Sequence, residues 1–208
     1  MGYYPVFVAM SGRPCVVVGG GAVAEGKIEG LLTAGARVTV ISRTLSARLE
    51  SWRQADAIRH LAREYRPGDL LGFELAFVAT DDGQVNTAVA QEGRERGVWV
   101  NAADDPERCD FILPSVLRRA ELVVAVGTGG ASPALARAIR EELEEYFTPD
   151  YAALAGLVTE VRQELKSRHG LPPAERWRQA LGGELRRLLA EGKREEARAC
   201  LLARLGAE

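Results

Sequence analysis

Cysteine and histidine are scarce in this chain, and neither is arranged for covalent or metal chemistry. Cys15, Cys109 and Cys200 are scattered and odd in number, and His60 and His169 lie far apart. A disulfide framework and a zinc site of ordinary spacing are thereby excluded. No apolar run approaches bilayer-spanning length, and the N-terminus lacks a basic segment followed by an apolar one; the expectation is a soluble, cytoplasmic protein. Charge of one sign is lacking too. With 27 Lys and Arg against 29 Asp and Glu, nothing calls for nucleic acid, and the mildly basic stretch after Tyr151 reads as a solvated helical surface. Repeats and low-complexity linkers are absent. What is present is 208 residues at 47% apolar content, enough for one sizeable domain or two or three small ones.

The organising stretch is Val16-Val17-Val18-Gly19-Gly20-Gly21-Ala22-Val23-Ala24, where a β-branched run breaks into glycines and opens a helical pattern through Lys27, Ile28, Leu31 and Leu32. The spacing fits G-x-G-x-x-G/A, with Gly19, Gly21 and Ala24 in the three slots. Gly19 suits the tight turn, Gly21 lets backbone approach a pyrophosphate at the helix start, and Ala24 allows close helix packing. A second strand, Arg37 to Ser42, follows at the distance a βαβ unit needs. The structural alternative is a glycine-rich turn that binds nothing.

Before this unit, Tyr3 to Met10 reads as an extended lead-in. After it come a helix from Leu45 to Ala55, a weak third strand within Ala57 to Tyr65, and a strong strand Leu75 to Asp81. A helix from Gln84 to Arg96, closed by Gly97, leads to a strand opening at Val98-Trp99-Val100-Asn101. The polar ends of these strands place Thr80, Asp82, Asn101 and Asp104 at the ligand crevice of a doubly wound sheet. Phe111 to Arg119 and Leu122 to Gly127 then read as a hairpin turning at Ala120-Glu121. Ser132-Pro133 starts a helix to about Phe147. From Tyr151 three helical faces follow, marked by Leu154 to Leu165, Trp177 to Leu189 and Ala197 to Leu205, and they read as the core of a small helical domain. The fold class is α/β: a Rossmann-like parallel sheet over residues 1–112, a small antiparallel-hairpin dimerisation segment over 113–148, and a C-terminal helical domain over 149–208. A lone hairpin is marginal, and a homodimer would supply its missing partner.

The chain resembles the precorrin-2 dehydrogenase and sirohydrochlorin ferrochelatase family of siroheme synthesis. The resemblance is carried by Tyr4-Pro5-Val6-Phe7, the glycine turn with Lys27, Ala79-Thr80-Asp81-Asp82 with Asn86, and Asn101-Ala102-Ala103-Asp104. Phe111-Ile112-Leu113-Pro114-Ser115, Gly129-Gly130-Ala131-Ser132-Pro133 and Trp177 complete it. It covers nearly the whole chain, without the methyltransferase half of the longer siroheme synthases. It implies NAD-dependent oxidation of precorrin-2 to sirohydrochlorin, in some members followed by ferrous iron insertion, and a homodimer built through the hairpin.

On that resemblance Asp104 is the catalytic candidate, as the acceptor of the substrate proton; its ordinary pKa of about 3.9 makes it a weak base unless neighbours such as Asp105 raise it. The bland alternative is a cap on the turn at Pro106. A tetrapyrrole polycarboxylate asks for clustered cations, and Arg108, Arg118, Arg119, Arg137 and Arg140 form the candidate group. Asn101 joins them, with Thr128 where similar enzymes carry a serine. The cofactor set is Gly19, Gly20, Gly21, Ala22, Val23, Ser42, Arg43, Thr44, Thr80 and Asp82. No acid ends the second strand, so Arg43 could sit under an adenine or meet a 2′-phosphate. The residues alone leave NADP open, and the resemblance implies NAD. No metal site can be drawn from spacing. A rival reading is a non-catalytic NAD-sensing regulatory domain, which would need neither Asp104 nor a basic crevice.

Overall fold

A computed structural model describes residues 2–102, 108–168 and 170–207, the side chain of residue 168 excepted. Its described part divides into two compact units, Met1–Leu113 and Pro114–Glu208.

The first unit is built on five parallel strands in the order β3-β2-β1-β4-β5. These are β1 (Pro14–Val18), β2 (Arg37–Ser42), β3 (Ile58–Ala62), β4 (Leu75–Val78) and β5 (Trp99–Ala102), with helices α1 (Ala22–Thr33), α2 (Ala47–Gln54) and α3 (Gly83–Arg96). Strand alternation sorts the core. Cys15 and Val17 face one way, packing with Ala24, Ile28 and Leu31 of α1 and Leu49 of α2. Val16 and Val18 face the other, packing with Val89 of α3 and Val100 of β5. A strand buried on both faces must be apolar throughout, which is why β1 and β4 read so clearly. Each fully buried aliphatic side chain contributes about 1.5–3 kcal/mol.

The chain runs outward from β1 through β2 to β3, then returns to β4 beside β1. The strand ends at that reversal are where such sheets hold ligands. Helix α3 lies unusually close to β5: a Cβ on Gly93 would stand 2.3 Å from Val100 Cγ2. Gly97 closes the helix in the left-handed region, at φ 69°, as expected. In the lead-in, residues 2–10 form no strand, and Tyr4 and Phe7 are exposed.

The second unit contains the hairpin β6 (Ser115–Arg119) and β7 (Leu122–Val126), then α4 (Pro133–Tyr146), α5 (Asp150–Arg168), α6 (Ala174–Ala180), α7 (Gly183–Ala190) and α8 (Arg194–Leu205). The hairpin is shorter than its apolar run because Phe111 packs edge-on against Phe77, 5.5 Å between ring centres. Pro114 then lacks the N–H that a ladder needs. Ser132 caps α4, its hydroxyl accepting from Leu135 N at 3.1 Å. The boundary read at residue 148 falls inside this unit, where the rings of Tyr146, Phe147 and Tyr151 pack edge-on or tilted against one another.

The single helix read across Trp177 to Leu189 is two, α6 and α7. Gly182 and Gly183 interrupt it, each weakening a helix by roughly 1 kcal/mol relative to alanine. The bend lets both Trp177 and Leu185 reach one core with Leu157, Val161 and Leu201. No helix among the described residues is long and apolar enough to cross a membrane.

Candidate functional site

A cavity of about 560 Å³ opens at the C-terminal ends of β1, β2 and β4, wholly within the first unit. That volume falls in the roughly 300–1,000 Å³ range of ligand sites. The turn after β1 forms its floor, and the three glycines there do different things. A Cβ on Gly19, whose φ is +121°, would lie 2.2 Å from Ala79 O, and one on Gly20 would lie 2.1 Å from Thr44 O. Both are therefore required by protein packing. Gly21 has nothing within 4 Å of its missing Cβ. Protein packing therefore does not require glycine at this position, which lines the cavity.

Helix α1 begins there without a side-chain cap. Among the described residues the amides of Gly21, Ala22 and Val23 have no hydrogen-bond partner; the first α1 bonds are Ala24 N and Glu25 N to Gly21 O. Three donors and the positive end of a helix dipole converging on open space suit a phosphate. The donor set and the cradle fit a dinucleotide.

The walls come from strand ends. Ser42, Arg43 and Thr44 line one side, and His60 Nε2 lies 3.2 Å from Ser42 Oγ and 3.0 Å from Ser42 O, fixing that corner. Thr80, Asp81 and Asp82 line the other. Asp82 caps α3, accepting from Gln84 N at 2.8 Å and Val85 N at 3.2 Å, while Thr80 Oγ1 accepts from Asp82 N. Asn86 donates to Thr80 O, and its own amide oxygen is buried without a partner among the described residues.

Glu64 and Tyr65 also line the wall, and the sequence motifs do not point to them. They sit in the segment after β3, which Glu92 of α3 clamps. Glu92 accepts from Tyr65 Oη, from Gly68 N at 2.8 Å, from Leu70 N at 3.2 Å and from Arg96 Nε at 2.6 Å. Burial alone would raise the Glu92 pKa, but those donors outweigh it and hold the carboxyl below the usual range. Burial and the carboxylate push the Tyr65 phenol upward. An acidic residue on the buried face of α3, between Val89 and Gly93, was the available signal.

The residues expected to meet substrate are dispersed. Asp104 lies outside the described residues. Asn101, placed at the crevice by its strand position, is only 6% exposed. It donates to Phe111 O at 2.9 Å and accepts from Lys27 Nζ at 2.8 Å, so it ties α1 to β5. Arg108 is half-buried. In the second unit Arg118 is exposed, whereas Arg119 donates to Phe147 O at 2.7 Å and secures the end of α4. Arg137 and Arg140 pair with Glu141 on their own helix. The Thr128 hydroxyl bonds both N and O of Ser132, closing the Gly127 to Ala131 loop. Among the described residues no group of three or more His, Cys, Asp or Glu could hold a metal.

Two family models match the chain: one described as putative NAD(P)-binding over residues 6–115, and one described as sirohaem biosynthesis protein central over residues 121–146. Curated relatives named siroheme synthase include that of Methylobacillus flagellatus, 40% identical over 196 residues, which cover 93% of this chain and 42% of the relative. The siroheme synthase of Thioalkalivibrio sulfidiphilus is 40% identical over 205 residues, covering 97% and 42%. The chain thus spans less than half the length of these relatives. A solved structure described as SirC, precorrin-2 dehydrogenase, aligns with TM-score 0.79 and 28% identity over 96% of this chain and 98% of that one.

Proposed function

The chain belongs to the siroheme-biosynthesis family of NAD(P)-binding proteins, and on that premise we propose that it oxidises precorrin-2 to sirohydrochlorin with NAD as hydride acceptor. What supports the reading most is a cradle of free amides around Gly21 in a chain that aligns end to end with a precorrin-2 dehydrogenase. Removing one hydride and one proton from the reduced macrocycle needs an acceptor for each.

The nicotinamide, when bound, supplies the hydride acceptor. The chain's residues do the rest. The amides of Gly21, Ala22 and Val23 hold the pyrophosphate, Gly19 and Gly20 keep the turn under the strand ends, and Ser42, Thr44 and Thr80 offer hydroxyls to the riboses. Asp82 holds the start of α3 against the Thr80 wall. Lys27 and Asn101 lock α1 to β5, so the turn keeps its angle to the sheet. Asp104 takes the substrate proton, and Arg108, near it in sequence, supplies positive charge for the carboxylates; in the second unit Thr128 orders the loop before α4.

The same proposal includes a cytoplasmic homodimer: among the described residues β6 and β7 form a two-stranded sheet, and its edges would be covered by pairing with the hairpin of a second copy. Sedimentation should report twice the chain mass; a monomer at working concentration would remove this part. Ferrous ion would enter as the substrate of a following chelation step, read from the pigment spectrum after adding ferrous ion to sirohydrochlorin. The central test is to mix the chain, precorrin-2 and NAD without oxygen and follow NADH. Formation of NADH with sirohydrochlorin is expected. Tight NAD binding with no NADH would instead identify a nucleotide sensor.

A further inference from the structure

We infer that Glu64, reaching in from the segment after β3, is the residue that selects a nucleotide with a free ribose 2′-hydroxyl over one carrying a 2′-phosphate. This rests on the nucleotide reading of the cavity given above. In sheets of this type the end of β2 meets the adenosine ribose, and an acid there ordinarily accepts from the 2′-hydroxyl. Here β2 ends in Ser42 and is followed by Arg43 and Thr44, so its own sequence presents a cation and no acid.

The structure brings the missing carboxylate from elsewhere. Glu64 Oε1 lies 2.7 Å from Arg43 Nη2, and both line the cavity. Their side chains are 64% and 74% exposed, and an exposed pair of this kind contributes little to stability. The segment bearing it is nevertheless anchored on both sides of Glu64. Arg63 makes two parallel bonds to Asp69, at 2.6 and 2.7 Å, and Tyr65 is held by Glu92. Glu64 is thus presented on a short, tethered piece of chain.

The consequence is electrostatic. A 2′-phosphate would need Arg43, whose charge Glu64 already engages, and would meet the like charge of Glu64 itself. A 2′-hydroxyl meets only an acceptor. The selectivity therefore comes from the segment after β3 rather than from the end of β2, and Arg43 becomes available to a 2′-phosphate only when Glu64 is neutralised.

The test is direct binding of NADH and NADPH to the full chain, by fluorescence, for the native protein, Glu64→Gln, and Glu64→Gln combined with Arg43→Ala. The native chain should prefer NADH. Glu64→Gln should cut that preference by about tenfold through tighter NADPH binding, an effect that shrinks in high salt. Adding Arg43→Ala should cancel the gain. A preference unchanged by Glu64→Gln, with NADH still bound, would overturn this inference alone; failure of the native chain to bind either nucleotide would overturn the cavity reading and this inference together.

Discussion

Replacing Gly21 by alanine separates folding from ligand binding more sharply than any other change in the glycine turn. The new Cβ has no protein atom within 4 Å, and Gly21 sits at φ −96° and ψ −169°, extended backbone that alanine adopts. Alanine is a poorer N-cap than glycine by a few tenths to about 1 kcal/mol. It also restricts the unfolded chain, which returns about 0.4–1 kcal/mol. The net change in stability should therefore be near zero. Nucleotide binding should not escape so lightly, because the methyl group occupies the space left open between the helix amides and the cavity. Each charge-assisted bond lost there costs about 1.5–3 kcal/mol, so NAD affinity should fall by roughly ten- to a hundredfold or more. The companion Gly20→Ala places its Cβ 2.1 Å from Thr44 O and 2.6 Å from Ser42 Oγ, and should lower the unfolding temperature as well. Thermal unfolding and calorimetric titration with NAD read the two quantities. If Gly21→Ala binds NAD within about threefold of the native chain, a scatter below 1 kcal/mol, the assignment of the open cradle to the pyrophosphate is wrong.

Three further outcomes follow from the geometry. Gly93→Ala drives a methyl into Val100 and to 3.0 Å from Val98 O; overpacking costs about 1–3 kcal/mol against roughly 1 kcal/mol of helix propensity regained, so denaturant midpoints should drop, and an unchanged midpoint would contradict the close α3–β5 packing. Glu92→Gln should destabilise the chain by about 1.5–3 kcal/mol at neutral pH through its weakened bonds. Because the folded Glu92 pKa is lowered from its usual 4.5, its contribution is present above that value and lost as pH falls through the folded one. The gap between native and Glu92→Gln stabilities should therefore close on acidification below about 4.5, and a gap independent of pH would discard the clamp. Asp104→Asn should leave NAD binding intact while slowing NADH formation by about 10²-fold or more, the low end of what a positioned base supplies; undiminished turnover would remove Asp104 from the chemistry.

The parts of this fold legible in the sequence are those where burial and local geometry agree. β1 and β4 are apolar because both faces are covered, and the Ser132-Pro133 and Gly97 signals act within a few residues of where they stand. β3 was faint because it lies at the sheet edge, where Arg59 is exposed and His60 turns to Ser42. The break between α6 and α7 was obscured because the apolar spacing from Trp177 to Leu189 continues across two glycines.

The site divides in the same way. The glycine turn and the ends of β2 and β4 follow from one local motif. Glu64 and Tyr65 do not, because their place depends on Glu92, 27 residues from Tyr65 in the chain. Asn101 shows the converse: a polar residue at a strand end looks the same in sequence whether it faces a ligand or is drawn inward. Here the Phe111 carbonyl and the Lys27 ammonium draw it inward.

The most direct measurement is a crystal structure of the chain grown with NAD. The account places the pyrophosphate against the amides of Gly21, Ala22 and Val23, with the adenosine ribose at the end of β2 beside Glu64. A nucleotide lodged anywhere else, or a turn that closes over Gly21 and leaves no room for phosphate, would contradict it.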